Sequence, residues 1–255
     1  PGWVPSPGNR RFARALGDVD GVVARIIAEH RRGASDRPDV LTLLMDARDA
    51  DSGAAFTDAE LRNEVVTMLL AGHETTASAL SWTLALLASH PEAATRVRAE
   101  VDAVLGRRAP TLDDLAHLTC TTQVIQESMR LFPPIWAIER RAVRAGVIGG
   151  FAIPAGSSVI ISPYVLHRHP DFWPDPERFV PERFDGTRTP SAYLPFGGGP
   201  RYCVGSEFAM MEARLVIAMV MQAWRLTVVP GQIVAPAPGL TLRLRHGLRV
   251  SAEPR

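Results

Sequence analysis

The chain has 255 residues, 46% hydrophobic and 22% charged, the balance of a globular protein rather than a disordered or fibrous one. Its 28 basic and 27 acidic residues leave a formal net charge of +1, which offers no bulk attraction for nucleic acid. No stretch nears the roughly 18 apolar residues of a membrane span, and the start has no apolar leader core, so a cytoplasmic chain is expected.

After a Pro-rich start, helical periodicity runs from about Asn9 to Arg32, and a second helix is expected over 38–49. Thr57 and Glu60 have the spacing of a capping box. The box opens a long apolar helix, about 58–89, roughly 45 Å at ~1.5 Å per residue. Pro91 suits the first position of the next helix, through about Leu105. Short helices are expected over 111–117 and 120–132, the latter stopped by Pro133 and Pro134. The run "GFAIPAGSSVIISPYV" then reads as short strands. Residues 168–202 are rich in Pro and aromatics and lack a period. A last helix, about 204–224, precedes a tail that reads as β-hairpins. The expected class is mainly α with small β-sheets (α+β), as one domain.

All the basic residues are arginine, a bias that a GC-rich bacterial coding sequence produces. The two cysteines, Cys120 and Cys203, have neither CxxC nor disulfide spacing. Cys203 lies in "FGGGPRYCVGSEF", where Gly197 to Gly199 let backbone approach a ligand closely. It stands at the mouth of a predicted helix, where backbone N–H groups favour a thiolate. With Arg201 nearby to pair with an anionic group, the arrangement suits a single axial haem ligand. A buried cysteine after a flexible turn is the plainer alternative.

Two further stretches carry chemistry. "ESMR" places Glu127 and Arg130 at i and i+3, where they can pair, although most such pairs are surface pairs of little worth. "AGHETT" puts Gly72, His73, Glu74 and Thr75 inside the long apolar helix. Gly72 costs about 1 kcal/mol of helix propensity. The Thr75 hydroxyl can bond back to the carbonyl of Ala71 and so bend or open the helix. A packing glycine beside threonines facing polar neighbours is the alternative. His73 and His167 read as structural histidines.

The spacing Phe196-x-x-Gly199-x-Arg201-x-Cys203-x-Gly205 resembles the haem loop of the cytochrome P450 family. "ESMR", "PERF" at 181–184 and "AGHETT" resemble that family's other motifs in the same order. The resemblance implies a partial cytochrome P450 fold lacking its N-terminal region, one domain over 1–255. Within it, 58–89 would be the helix on the oxygen face, 120–132 the E-x-x-R helix and 196–205 the haem-thiolate loop.

By the same resemblance Cys203 would be the axial ligand of haem b. Arg201, Phe196, Gly199 and Gly205 would frame the haem, and Arg140 would contact a propionate, with Arg141 one position away. Ala71 and Gly72 would leave room for O2, while Thr75 and Glu74 would deliver protons. Glu127, Arg130 and Arg183 would form a buried structural network. Met68, Ile135, Trp136, Ala137 and Leu240 would line a pocket for a hydrophobic small molecule. Electrons would come from NAD(P)H through a ferredoxin and its reductase, docked on arginines such as Arg96, Arg98, Arg107 and Arg108. The expected protein is a monomeric bacterial monooxygenase. The alternatives are a truncated, inactive haem- or ligand-binding fragment and a haem-thiolate peroxygenase, against which the Glu74–Thr75 pair argues.

Overall fold

The computed structural model describes Val4 and residues 6–33, 39–186 and 190–255. These residues form two compact units, 1–73 and 74–255. The start of the helix expected over 38–49 lies partly outside the described residues.

In the first unit, helix α1 (Pro7–Arg31) is capped by Ser6, whose Oγ accepts from the Asn9 N–H at 3.1 Å. Helix α2 (Val40–Asp46) is capped by Asp39, whose carboxylate accepts from the Thr42 N–H at 2.9 Å. That bond, with His30 against the same carboxylate, holds the Asp39 carboxyl down at about 2. Helix α3 (Asp58–Ser89) opens on the predicted capping box. The Thr57 N–H donates to the Glu60 carboxylate at 2.9 Å, and the Glu60 N–H donates back to the Thr57 hydroxyl at 3.3 Å. Val23, Ile27, Leu41 and Leu61 form this unit's core.

In the second unit the core is built on helices α4 (Pro91–Leu105), α5 (Thr119–Leu131) and α7 (Ser206–Ala223), with the later turns of α3. On α4, Ala93, Val97, Val101 and Leu105 recur every four residues, and all are buried. They meet Leu118, Val124, Ile125, Met129, Ile217 and Met221. Helix α5 is buried on nearly every side, so its polar groups must be satisfied from within the protein.

Four two-stranded antiparallel sheets complete the unit. Strand β1 (Ile138–Arg141) pairs with β4 (Ser158–Ile161), and β2 (Gly146–Ile148) with β3 (Phe151–Ile153). Strand β5 (Trp224–Val228) pairs with β8 (Val250–Pro254), and β6 (Pro236–Pro238) with β7 (Leu242–Leu244). The tail therefore holds one true hairpin, β6–β7, rather than hairpins throughout. A short helix, α6 (Pro163–Leu166), follows β4 and is absent from the sequence expectation.

One further expectation changes. Helix α3 is not buried throughout: residues 67–73 are all exposed, and burial on the core-facing side begins near Thr76. The helix also stays α-helical from Asp58 to Ser89, with no 3-10 or π turn where Thr75 was expected to open it.

Candidate active site

The cysteine loop is shaped by two glycines. Gly197 and Gly199 have φ of +75° and +67°, which side-chain-bearing residues rarely adopt. The turn closes when the Cys203 N–H donates to the Phe196 carbonyl at 3.1 Å. Cys203 then stands three residues before Ser206, the first residue of α7, with its side chain exposed. A Cβ at Gly205 would lie 4.0 Å from the sulfur, so the glycine keeps the space beside the thiol open. Phe196 anchors the loop at the edge of the main core and meets Tyr202 edge-on at 6.4 Å. Arg201 and Gly199 are exposed beside it. Val204 at 96% and Phe208 at 65% exposure add apolar surface next to the thiol.

Behind the loop lies the predicted network. Glu127 and Arg130 are both fully buried. Arg130 Nε and Nη2 donate to the two carboxylate oxygens at 2.7 and 2.9 Å. Its remaining N–H groups donate to the carbonyls of His167, Pro176 and Arg178 at 2.7–2.9 Å, so all five donors are used. Glu127 also accepts the Val180 N–H at 2.8 Å. Arg183 joins more loosely than expected. Its Nε is 3.4 Å from Glu127 without hydrogen-bond geometry, and its Nη2 donates to the Asp175 carbonyl at 2.9 Å. The network is a tight pair with a third, peripheral arginine.

Two residues outside the predicted site tie this network to the cysteine loop. The Tyr193 hydroxyl donates to the Gln126 carbonyl on α5 at 2.9 Å, and the Leu194 N–H donates to Nε2 of His167 at 2.8 Å. Burial pushes the His167 imidazole down to about 4. No sequence pattern marks these contacts, because their partners lie 67 and 27 residues apart.

Strand β1 approaches the loop as well. Ile138 Cδ1 lies 3.7 Å from where a Cβ on Gly197 would stand, and Arg141 Nη2 lies 3.7 Å from the same point on Gly156. Side chains alternate along a strand, so Arg140 shares the Ile138 face and Arg141 points away. Arg140 therefore lies on the strand face that meets the loop, and it is exposed.

Glu74 is engaged by the segment around β7. Its Oε1 accepts from the Thr241 hydroxyl at 2.7 Å and lies 3.4 Å from Arg243 Nε. One turn on, the Ser78 hydroxyl donates to the Leu242 carbonyl at 2.7 Å, and another turn on the Trp82 indole donates to the same carbonyl at 2.8 Å. Glu74, Ser78 and Trp82 thus form an i, i+4, i+8 stripe that holds β7 against α3. Thr75, one residue from Glu74, is half-buried.

The turn before β7 carries Leu240, 83% exposed, and is held from the other side by the Trp136 indole, which donates to the Gly239 carbonyl at 2.9 Å. This joins two of the predicted pocket residues, Trp136 and Leu240, through one turn. Ile135 and Ala137 are half-buried beside Trp136 in sequence. Met68, Ala71 and Gly72 belong to the first unit, where they lie exposed on α3.

The arginines expected to dock a partner are largely engaged. Arg96 is paired with Glu182. Arg108 donates through both Nη atoms to Asp114, at 2.6 and 2.7 Å, which holds the Asp114 carboxyl far below the usual carboxylate range. Arg98 is half-buried beside Arg225 and Arg255. Arg107 is exposed.

An exposed thiol on a glycine turn, an open space beside its sulfur and arginine on the flanking strand form a donor set that fits a haem iron held by one thiolate. The profile of the cytochrome P450 family matches residues 2–247. The chain belongs to that family. It is 42% identical to cyclooctatin synthase of Streptomyces melanosporofaciens, over 99% of this chain and 56% of that protein. It is 43% identical to cyclooctat-9-en-7-ol 5-monooxygenase of the same organism, over 89% of this chain and 50% of that protein. Pentalenene oxygenase of Streptomyces avermitilis is 36% identical over 97% of this chain and 56% of its own length. The chain spans about half the length of the curated relatives it matches. Among the described residues, no helix is long and apolar enough to cross a membrane.

Proposed function

We propose that this chain carries the thiolate and oxygen-face parts of a monooxygenase that inserts one oxygen atom from O2 into an apolar small molecule. The observation that carries the proposal is the exposed Cys203 thiol, held on a glycine turn ahead of α7 and backed by the buried Glu127–Arg130 pair. Cys203 would ligate the iron of haem b. Arg140 and Arg201 would meet its propionates, with Phe196, Gly199 and Gly205 framing it. When bound, the haem supplies activation of O2, with electron donation from the thiolate favouring O–O cleavage.

The remaining work falls to side chains of this chain. The Thr75 hydroxyl hydrogen-bonds on the oxygen face. Glu74 passes protons from water to Thr75. To do so, it exchanges the Thr241 hydroxyl for water. Ile135, Trp136, Ala137 and Leu240 exclude water around an apolar substrate. The relatives named as a monooxygenase and an oxygenase support that reading. Electrons come from NAD(P)H through a ferredoxin and its reductase, in the cytoplasm, to a monomer.

The test is the reduced, carbon-monoxide-bound spectrum of the chain after haem titration. A Soret band at the position of thiolate ligation is expected for the wild type and not for Cys203→Ser. Haem uptake that is indifferent to Cys203→Ser would refute the assignment. The exposed Val204, Phe208 and Leu240 favour a second reading, a chain that takes haem without turnover. Turnover driven by ferredoxin and its reductase separates the two.

A further inference from the structure

His167 is the one imidazole buried completely among the described residues, and nothing in the proposed chemistry uses it. Its two ends face two different parts of the site. Its backbone carbonyl accepts from Arg130 Nη1 at 2.9 Å, as part of the buried pair. Its ring Nε2 accepts from the Leu194 N–H at 2.8 Å, two residues before Phe196 and the glycine turn. An N–H can donate only to an unprotonated nitrogen, so the neutral ring carries its proton on Nδ1. That Nδ1 has no partner with hydrogen-bond geometry. The Tyr193 ring, 5.2 Å away, and Trp173, 6.4 Å away, close the site around the imidazole.

We propose that His167 is a positioning residue for Cys203: one neutral imidazole fixes the segment entering the cysteine loop to the Glu127–Arg130 core, and its protonation releases that segment. The geometry stands by itself, and its consequence for ligation rests on the reading of Cys203 as a thiolate ligand.

A proton on Nε2 would set two donors face to face, the ring N–H and the Leu194 N–H, inside a site closed to solvent. The groups facing the ring agree with a neutral state. Arg130 on α5 and Arg168 beside it both disfavour a second positive charge, and burial disfavours it most. The carbonyls of Arg130 and Met129 act in the opposite sense, more weakly than burial but more strongly than the two arginines. Glu127, the nearby carboxylate, is already committed to Arg130, and Tyr193 uses its hydroxyl on Gln126. Gln places an amide oxygen near the position of Nε2, whereas Phe keeps the ring volume and removes the acceptor.

The experiment uses the whole chain, with 15N-labelled histidine and amide exchange followed by NMR or mass spectrometry. In the wild type at neutral pH, His167 should show the Nδ1–H tautomer and the Leu194 amide should exchange slowly. His167→Phe should speed Leu194 exchange roughly tenfold or more, and His167→Gln should restore most of the protection. In the haem-loaded chain, His167→Phe should shift the carbon-monoxide spectrum away from thiolate ligation at a pH where wild type and His167→Gln keep it. A wild-type ring protonated on Nε2 at neutral pH would overturn the proposal, and so would unchanged Leu194 exchange in His167→Phe. If His167→Phe does not fold, the wild-type tautomer and the Gln variant still decide. If the wild type takes up no haem, the functional reading fails, and the tautomer and exchange results still judge His167.

Discussion

A buried Arg130 is tolerable because none of its five N–H groups goes unpaired. Taking either partner away reverses that balance, since an orphaned buried charge costs far more than the pair contributes. Glu127→Gln keeps the shape but turns an amide NH2 toward Arg130 donors. It should cost about 3–5 kcal/mol, read as a lower urea midpoint. A shift within error of wild type would mean that water reaches the pair. His167 sets a pH dependence of defined sign. Its folded value, about 4, lies below the ordinary 6.5, so the unfolded chain takes the proton first as pH falls. Its contribution is complete above about pH 6.5 and is lost on the way down to about pH 4, roughly 3 kcal/mol in all. Urea midpoints at pH 7 and pH 5 should diverge in the wild type and converge in His167→Gln. Equal divergence in both would assign the loss to other groups.

Between elements, the informative contacts are those that satisfy backbone at a distance. Helix α5 has no side-chain cap from its own N-cap residue, and Glu100 on α4 caps it by accepting the Cys120 and Thr121 N–H groups at 2.5 and 2.8 Å. Strand β7 shows the same logic. Pro238, opposite Leu242 in the register, has no N–H, and the Leu242 carbonyl takes Ser78 and Trp82 instead. Ser78→Ala or Trp82→Phe alone should cost about 1 kcal/mol, because the other donor remains. The double variant leaves that buried carbonyl without either donor, so its cost should exceed the sum by about 1 kcal/mol or more. A double-mutant cycle measures this, and strict additivity would show that water replaces both donors. Such contacts explain what was legible in the sequence. Pro91, the Thr57–Glu60 box and the apolar period give helices from neighbouring residues. The partners of Glu100, Glu74 and Trp82 lie 20 to 167 residues away, and no local pattern records them. Glu127 and Arg130 were legible as a pair, whereas the exposure of residues 67–73 and the looseness of Arg183 follow from packing.

Across the molecule, the core and the proposed haem contacts are different residues. The second unit's core runs through α4, α5 and α7, and Cys203, Arg140 and Arg201 are exposed outside it. Without haem, Cys203→Ser exchanges one exposed side chain for a similar one and should move the unfolding midpoint by no more than about 0.5 kcal/mol. With haem, a ligand that binds only the folded chain adds RT ln(1 + [L]/Kd), about 2.7 kcal/mol at 100 times Kd. The wild type should therefore gain stability steeply as haem is titrated. Cys203→Ser should gain less, by the affinity that the thiolate bond contributes. Glu127→Gln should behave in the opposite way, starting low without haem and rising with it wherever enough chain is folded to bind. Thermal or urea unfolding of the three proteins, at several haem concentrations, draws three curves. Parallel curves for wild type and Cys203→Ser would show that haem binds this chain without its cysteine. Curves that meet at zero haem and separate as haem rises place the thiolate bond on Cys203 and the folding energy behind it.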